Sequence, residues 1–271
     1  MTARELYQEI KRKKSCLCVG LDTDHHRIPD ILRREPDPVF SFNKAIIDAT
    51  HHLAVAFKPN LAFYEANGTA GWKSLEKTVD YIRSTDPSLF IISDAKRGDI
   101  GNTARQYALT FFVSLDFDAI TLSPYMGRDA IEPFLGFTGK WVILLGLTSN
   151  PGAVDFQLQY MESGRYLYEE VIDRSKDWGT TDNIMYVVGA TKSSHFQRIR
   201  EIIPGHFLLV PGIGAQGGSL EEVLDYGSND TGGLLVNSSR GIIYASSGPD
   251  FAGEAEAAAS DIQRKMQNYF L

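Results

Sequence analysis

Short apolar runs alternate with longer amphipathic stretches along the whole chain, and this alternation limits the fold more than any other feature of the sequence. Most of the runs are continuously apolar and rich in β-branched residues, which is typical of parallel strands that are covered on both faces. Eight runs qualify as predicted strands: 16–21, 53–57, 89–94, 117–122, 141–147, 184–189, 206–212 and 232–237. Helical patterns lie between and after them, for example at 38–50, 73–84, 103–113, 160–177, 193–202 and 219–225, with a last one near 250–269. The order of elements therefore predicts an α/β protein with a parallel sheet.

Two architectures use this alternation, a closed (β/α)8 TIM barrel and an open, doubly wound sheet. Eight strand–helix units of about 30 residues fill about 250 residues, which is the usual size of the barrel. The first predicted strand is not followed by the GxGxxG sequence that is typical of doubly wound nucleotide-binding sheets. We therefore expect a single (β/α)8 barrel domain over 1–271, with a long loop region around 149–165.

Charge and the polarity of the segments exclude several classes of protein. The 271 residues include 27 Lys and Arg against 34 Asp and Glu, which gives a formal net charge of −7. This balance argues against general binding to nucleic acid or to anionic membranes, although a pocket can still bind a small anion. The N-terminal stretch is too polar for a signal peptide, and no segment reaches the ~18 apolar residues of a membrane span. Cys16 and Cys18 are poorly spaced for a disulfide. We expect a cytoplasmic protein with reduced, buried cysteines.

Charged side chains gather where the predicted strands end, which is the end of a barrel that carries active sites. In the third unit, Asp94 and Lys96 stand two residues apart, so both point to the same side of the strand. Asp99 follows a turn at Gly98, and Lys58 follows the neighbouring predicted strand. Together they form an array in which each charge favours the ionised form of its opposite neighbours. Catalysis is one interpretation of this array, and a structural ion-pair network is the other.

Two loops of small residues follow the last two predicted strands, PGIGAQGGS at 211–219 and NSSRG at 237–241. Barrels bind phosphate in the loops after strands seven and eight, through backbone N–H groups at the start of a short helix. Arg240 would add a bidentate, charge-assisted contact to phosphate oxygens. Tight turns alone can explain one glycine-rich loop. Two such loops on consecutive strands favour a phosphate site.

The motifs resemble those of the orotidine 5'-phosphate decarboxylase family, in particular its longer bacterial subgroup. CVGLDTD, FKPN, SDAKRGDIGNTA, TSNPGA, VPGIGAQGG and NSSRGIIYA stand in the order of that family over nearly the whole chain. The resemblance implies a (β/α)8 barrel that acts as a homodimer with shared active sites. It also implies conversion of orotidine 5'-monophosphate to uridine 5'-monophosphate and CO₂ without a cofactor or a metal.

A role for each matching residue follows from the same resemblance. Lys58, Asp94, Lys96 and Asp99 would form the catalytic array, with Lys96 as the proton donor and Asp99 reaching the site of the neighbouring subunit. The other matches would bind substrate: Asp22 a ribose hydroxyl, Thr103 the ribose side of the partner's site, Ser149 the pyrimidine, Gln216 and Arg240 the phosphate, with Gly241 beside Arg240.

Two other functions compete with this interpretation. A sugar-phosphate enzyme on a similar barrel would bind a divalent metal through Asp94 and an acidic residue after the first strand, but Lys58 beside Asp94 leaves little need for a cation. A barrel that only binds a phosphate ligand would have no use for the four charges. Adding a chelator distinguishes the first alternative from the decarboxylase, and the Lys96→Ala variant distinguishes the second. Because adjacent residues rarely face one ligand, we do not expect His25 and His26 to bind a metal.

Overall fold

Eight parallel strands close into a barrel in the computed structural model, which describes residues 1–213 and 217–270. The strands are β1 (Leu17–Leu21), β2 (Ala56–Pro59), β3 (Phe90–Arg97), β4 (Ala119–Leu122), β5 (Trp141–Leu147), β6 (Ile184–Val188), β7 (Phe207–Pro211) and β8 (Leu234–Ser238). Each strand pairs with the next along the chain, and β8 pairs with β1 through Asn237 opposite Cys18. The predicted (β/α)8 barrel is confirmed.

Helices surround the barrel and connect its strands. Within the described residues they are α1 (Ala3–Lys13), α2 (Pro38–Thr50), α3 (Leu61–Glu65), α4 (Gly68–Thr85), α5 (Gly101–Leu109), α6 (Glu132–Leu135), α7 (Leu167–Ser175), α8 (Phe196–Ile202), α9 (Leu220–Gly227), α10 (Arg240–Ile243) and α11 (Phe251–Met266). A π-helical turn over Thr110–Ser114 continues α5. None of the described helices has the length and apolar character needed to cross a lipid bilayer.

Aromatic rings fill the barrel interior near the amino ends of the strands. The Trp141 ring meets the rings of Phe90 and Phe207 edge to face, at centroid distances of 6.0 and 6.3 Å. These residues come from β5, β3 and β7, and side chains from alternate strands form one layer inside such a barrel. The indole N–H of Trp141 donates to the Met1 carbonyl at 2.8 Å, so the segment before α1 closes this end. Because this end of the barrel is filled with aromatic side chains, polar side chains that could carry out chemistry are expected at the opposite end.

Several predicted boundaries are wrong, and two of them have a clear local reason. β8 starts at Leu234 rather than at 232, because Gly232 and Gly233 have positive φ angles of 76° and 66° that strands do not adopt. α7 starts at Leu167 rather than at 160, because 161–165 forms a turn closed by two backbone hydrogen bonds. The apolar and aromatic residues of this region imitate a helical pattern, but they belong to the long loop between β5 and α7.

Arg200 of α8 ties together the segments that lead into β7 and β8. Its guanidinium donates to the backbone carbonyls of Gly227 at 2.7 Å, His206 at 2.6 Å and Gly233 at 2.8 Å. Burial lowers the pKa of this guanidinium to about 10. The guanidinium is therefore held by backbone carbonyls and not by a carboxylate. These contacts fix the spacing of the two segments that lead into β7 and β8.

Arg200→Met should lower the free energy of unfolding by about 2 kcal/mol, because the carbonyls lose a charged donor where water replaces it poorly. Arg174→Met is the matched control, since Arg174 is 77% exposed and its Nε lies 3.4 Å from Glu170. We expect that control to lose less than about 0.5 kcal/mol. Urea unfolding followed by circular dichroism measures both variants, and equal losses would contradict the role given to Arg200.

Candidate active site

The charged array lies at the carboxyl ends of β2 and β3. β2 spans Ala56–Pro59 instead of the predicted 53–57, so Lys58 is a residue of the strand and not of the loop after it. β3 continues past the predicted end at 94, because Arg97 still pairs with Leu122 of β4. Asp94 and Lys96 therefore belong to the last half of a strand, between Ser93 and Arg97, where its pairing with β4 is irregular.

One carboxylate joins two ammonium groups. Asp94 Oδ2 accepts a hydrogen bond from Lys58 Nζ at 2.7 Å, and Asp94 Oδ1 accepts one from Lys96 Nζ at 2.5 Å. The Lys58 side chain is 5% exposed and that of Asp94 is 10% exposed, so water screens their interaction little. Asp22 Oδ1 lies 3.9 Å from Lys58 Nζ. Lys58 is therefore a buried cation between two carboxylates.

These contacts keep the buried members of the array ionised. Burial alone would lower the pKa of the Lys58 ammonium, but Asp94 and Asp22 raise it above its usual value. Burial alone would raise the pKa of the Asp94 carboxyl, but Lys58 and Lys96 hold it well below its usual range. Both shifts favour the charged forms, so the ion pair persists across the whole physiological pH range.

A pocket of about 180 Å³ opens beside the array. Its lining joins the charged residues to the loops after β7 and β8 and consists of Asp22, Lys58, Asp94, Pro211, Gly212, Ile213, Asn237, Ser238, Ser239, Arg240 and Gly241. Arg240 begins α10 and is exposed to solvent. The structure thus brings four of the predicted substrate and array residues to one cavity with Gly241.

The loop that carries Asp22 is held from the β8 side of the pocket. The Tyr244 hydroxyl accepts the Asp24 N–H at 2.7 Å and donates to the Asp22 carbonyl at 3.2 Å. The Arg27 guanidinium lies over the Tyr244 ring, 3.8 Å from its centroid. Because Tyr244 directly follows α10, the segment that presents Arg240 also fixes the backbone of Asp22. No sequence signal points to this link, since Tyr244 is one of many aromatic residues.

Four of the predicted site residues that the structure describes do not line this pocket: Lys96, Asp99, Thr103 and Ser149. Lys96 contacts the array through Asp94, whereas Asp99 and Thr103 lie in the turn after β3 and on α5. Asp99 is half-buried in the turn after β3, where its Oδ1 accepts the Ile100 N–H at 2.8 Å. Within the described residues it forms no ion pair with Lys58 or Lys96. Thr103 is exposed on α5. Three members of the predicted four-charge array therefore meet in one chain, and the fourth does not join them.

Ser149 follows β5 in a loop that is ordered by its own hydrogen bonds. The Thr148 N–H donates to Gln157 Oε1 at 2.7 Å, and the Tyr168 N–H donates to the Gln157 carbonyl. Ser149 packs against Gly189, where a Cβ would lie only 2.8 Å from Ser149 Cβ. The loops after β5 and β6 can approach this closely because residue 189 is glycine. Gln216, the other predicted phosphate ligand, lies outside the described residues.

Three buried polar residues of the site have no individual role in the sequence-based prediction: Thr121, and Asn237 and Ser238 of the predicted phosphate loop. Thr121 Oγ1 lies 3.2 Å from Asp94 Oδ1. Asn237 and Ser238 line the pocket, and Asn237 Oδ1 is buried with no hydrogen-bond partner in the part of the chain that the structure describes. The available signal was a polar residue within an apolar strand, because a buried polar atom needs a partner or a ligand.

Two other kinds of site, a metal-binding cluster and a larger cavity, offer no better candidate for chemistry in the described part of the chain. Across 1–213 and 217–270, no three His, Cys, Asp or Glu side chains are close enough to hold a metal ion. A larger depression of about 880 Å³ lies at the opposite end of the barrel, beside Arg200 and Asp225. Its arginine is already bound by backbone carbonyls. The charged array beside the smaller pocket is therefore the better candidate for chemistry.

Comparison with known proteins gives consistent matches over nearly the whole chain. The sequence profile of the "Orotidine 5'-phosphate decarboxylase / HUMPS family" matches residues 15–255. An orotidine 5'-phosphate decarboxylase of Bacteroides fragilis is 59% identical over 266 residues, which cover 98% of this chain and 97% of that relative. One of Christiangramia forsetii is 59% identical over 267 residues, with the same coverage.

Solved structures match in the same way. The OMP decarboxylase of Leishmania donovani superposes with a TM-score of 0.83 at 35% identity, and the match covers 100% of this chain and 99% of that one. The UMP synthase of the same organism superposes with a TM-score of 0.84 at 38% identity, over 98% of this chain and 56% of the synthase.

Lys58→Met should lower the free energy of unfolding by about 3 kcal/mol at pH 7, because it leaves the Asp22 carboxylate without a cation and the buried Asp94 carboxylate with only the more exposed Lys96. The lowered pKa of Asp94 makes its ion pair stabilising above about pH 4, and this contribution is lost as the pH falls toward the pKa of the folded state. The difference in the free energy of unfolding between wild type and Lys58→Met should therefore narrow by about 1 kcal/mol as the pH falls from 5 to 3.

Urea unfolding at pH 7, 5, 4 and 3 measures this narrowing. Lys44→Met is the control, since Lys44 pairs with Asp48 at 2.8 Å on an exposed face of α2 and its removal should cost less than about 0.5 kcal/mol. A difference between wild type and Lys58→Met that does not change with pH would contradict the assignment of a buried ion pair.

Proposed function

The chain belongs to the orotidine 5'-phosphate decarboxylase / HUMPS family, and we propose that the array of Lys58, Asp94 and Lys96 is the centre at which it acts. It converts orotidine 5'-monophosphate to uridine 5'-monophosphate and CO₂, a reaction of pyrimidine biosynthesis. The family description covers two activities, and relatives at 55–59% identity are named decarboxylases. One buried carboxylate that joins two ammonium groups beside a pocket is the observation that carries the proposal.

Loss of CO₂ from C6 of the pyrimidine leaves an electron pair in an sp² orbital that the ring π system cannot delocalise. A fixed positive charge at this position lowers the energy of the transition state. Lys96 is suited to this role, because its Nζ is held by Asp94 while its side chain remains 51% exposed at the carboxyl end of β3. In the proposed step the C6–carboxylate bond breaks, CO₂ leaves, and the electron pair on C6 takes a proton from Lys96 Nζ.

The two buried residues support Lys96. Asp94 fixes the ammonium of Lys96 at 2.5 Å, so little reorganisation is needed when charge develops on the substrate. Lys58 keeps Asp94 ionised and balances its charge together with that of Asp22. This arrangement explains why a second, buried lysine lies beside the more exposed Lys96.

The lining of the pocket supports an orientation of the nucleotide. Asp22 Oδ1 is buried and has no hydrogen-bond partner within the described chain, which favours its assignment to a ribose hydroxyl. Arg240 is assigned to the phosphate oxygens, with Gly241 beside it. Gln216 keeps its predicted assignment to phosphate, and Ser149 keeps its assignment to the pyrimidine.

Asp99 and Thr103 are assigned to the active site of a second copy of the chain. Asp99 follows the array by three residues, yet in the described structure it pairs with neither lysine. Large apolar side chains are exposed on the loops after β3 and β4: Ile100, Tyr125 at 86% exposure, and Met126. Exposed apolar surface beside residues that do not serve their own site supports a homodimer with shared active sites.

We further propose that the whole chain works as one barrel domain in the cytoplasm, without a cofactor or a metal. Cys16 and Cys18 are free and buried, which suits a reducing compartment. The net charge of −7 gives no support for a nucleic-acid or membrane partner. A metal-dependent sugar-phosphate reaction is disfavoured by Lys58, whose ammonium lies between Asp22 and Asp94, the two carboxylates that would bind the ion.

Lys96→Ala should lower kcat by about 10⁴-fold or more, because the variant loses both the fixed charge and the proton donor. Its dissociation constant for uridine 5'-monophosphate should stay within about tenfold of wild type, since that ligand has no carboxylate at C6. Spectrophotometric decarboxylation assays and calorimetric titration measure the two quantities. A Lys96→Ala variant that remains active would remove Lys96 from the role of proton donor.

Mixing Asp99→Asn with Lys96→Ala tests the shared site. If Asp99 serves the partner's array, half of the randomly exchanged dimers contain one intact site, which restores about a quarter of wild-type activity. Asp94→Asn mixed with Lys96→Ala is the control, because both residues belong to the array of one chain and no intact site can form. Equal activity in the two mixtures would argue against the assignment of Asp99 to the partner.

A further inference from the structure

Thr121 contacts the array from β4 and has no role in the mechanism described so far. Its side chain is completely buried. Its Oγ1 accepts the backbone N–H of Lys96 at 2.9 Å and lies 3.2 Å from Asp94 Oδ1. A single hydroxyl therefore contacts both residues that the proposed reaction depends on.

The backbone of Lys96 explains why a hydroxyl is needed there. The pairing of β3 with β4 skips from Ser93 to Arg97, so the residues between them leave the regular ladder. Lys96 has a φ angle of +48°, in the left-handed region that lysine rarely adopts. A part-buried backbone N–H needs a partner, and that of Lys96 donates to a side chain of β4 instead of to a carbonyl of that strand. Thr121 Oγ1 supplies that partner.

The direction of the hydrogen bonds follows from the donors that are present. Because Thr121 Oγ1 accepts the Lys96 N–H, its own proton is free to be donated. The nearest acceptor is Asp94 Oδ1 at 3.2 Å, and the Ser93 carbonyl is farther, at 3.5 Å. Asp94 Oδ1 also accepts from Lys96 Nζ. Lys96 is thus held at its backbone through Thr121 and at its ammonium through Asp94, and the hydroxyl closes the ring between these two contacts.

We propose that Thr121 is a positioning residue for the decarboxylation, which fixes the Lys96 ammonium relative to C6 of the substrate. The inference rests on the proposed role of Lys96. Without the hydroxyl, the left-handed backbone of Lys96 loses the bond that compensates for it, and Asp94 loses one of its donors. The Lys96 side chain then samples positions away from the reacting carbon, while the residues assigned to the nucleotide after β1 and β8 are unaffected.

The test compares Thr121→Val with Thr121→Ser. Valine keeps the shape of threonine and removes the hydroxyl, whereas serine keeps the hydroxyl and removes the methyl group. Single-turnover decarboxylation with enzyme in excess isolates the chemical step from product release. We expect Thr121→Val to be slower than wild type by about 10²-fold, the scale of a misplaced catalytic group. Thr121→Ser should stay within about threefold, because it retains the donor and acceptor.

Affinity for uridine 5'-monophosphate, measured by calorimetry, separates positioning from general damage. It should stay within about threefold of wild type in Thr121→Val, since the loss is confined to the chemical step. Equal single-turnover rates for the valine and serine variants would overturn the proposal, and so would a loss of nucleotide affinity that matches the loss of rate. If Thr121→Val does not fold, Thr121→Ala takes its place, and the same comparison with Thr121→Ser decides.

Lys96→Ala measured in parallel distinguishes this inference from the function on which it rests. An inactive Lys96→Ala together with a fully active Thr121→Val would overturn only the role of Thr121. An active Lys96→Ala would overturn the role of Lys96, whatever the result at position 121.

Discussion

The carboxylate of Asp94, held between the ammonium groups of Lys58 and Lys96, is the interaction on which the rest of the site depends. Taking a carboxylate and a lysine out of water is costly, and the cost is offset only when opposite charges meet at hydrogen-bond distance. The 2.7 and 2.5 Å contacts of Asp94 meet that requirement. The closed barrel provides it, because parallel strands bring the carboxyl ends of β2 and β3 side by side.

The local structure around the array serves the same interaction. The irregular pairing of β3 with β4 and the left-handed conformation of Lys96 let this lysine reach the same carboxylate as Lys58. Backbone strain of this kind persists where surrounding contacts hold it, and it concentrates at functional sites. Thr121 supplies such a contact from β4. On the other side of the pocket, Tyr244 fixes the backbone of Asp22 and so sets the distance of the second carboxylate from Lys58.

Much of the fold can be predicted from the sequence, because buried parallel strands are continuous apolar runs and their number and spacing suit a closed barrel. The spacing of the motifs likewise predicts that Lys58, Asp94 and Lys96 lie together in a charged array. The direction of Asp99 cannot be predicted in this way, since it depends on the backbone of the turn at Gly98. Thr121 could not be found from a motif either. Its role depends on an interruption of the β3–β4 pairing that no pattern of residue types reports.

We propose that fixed charges of the protein perform the decarboxylation without a metal ion. This is tested by the loss of the orotate ultraviolet band when the purified protein meets orotidine 5'-monophosphate in excess EDTA, with CO₂ release followed in the same samples. We expect rapid loss of the band with equimolar CO₂, at a rate that added magnesium does not change. Turnover that stops in EDTA and returns with magnesium would contradict it.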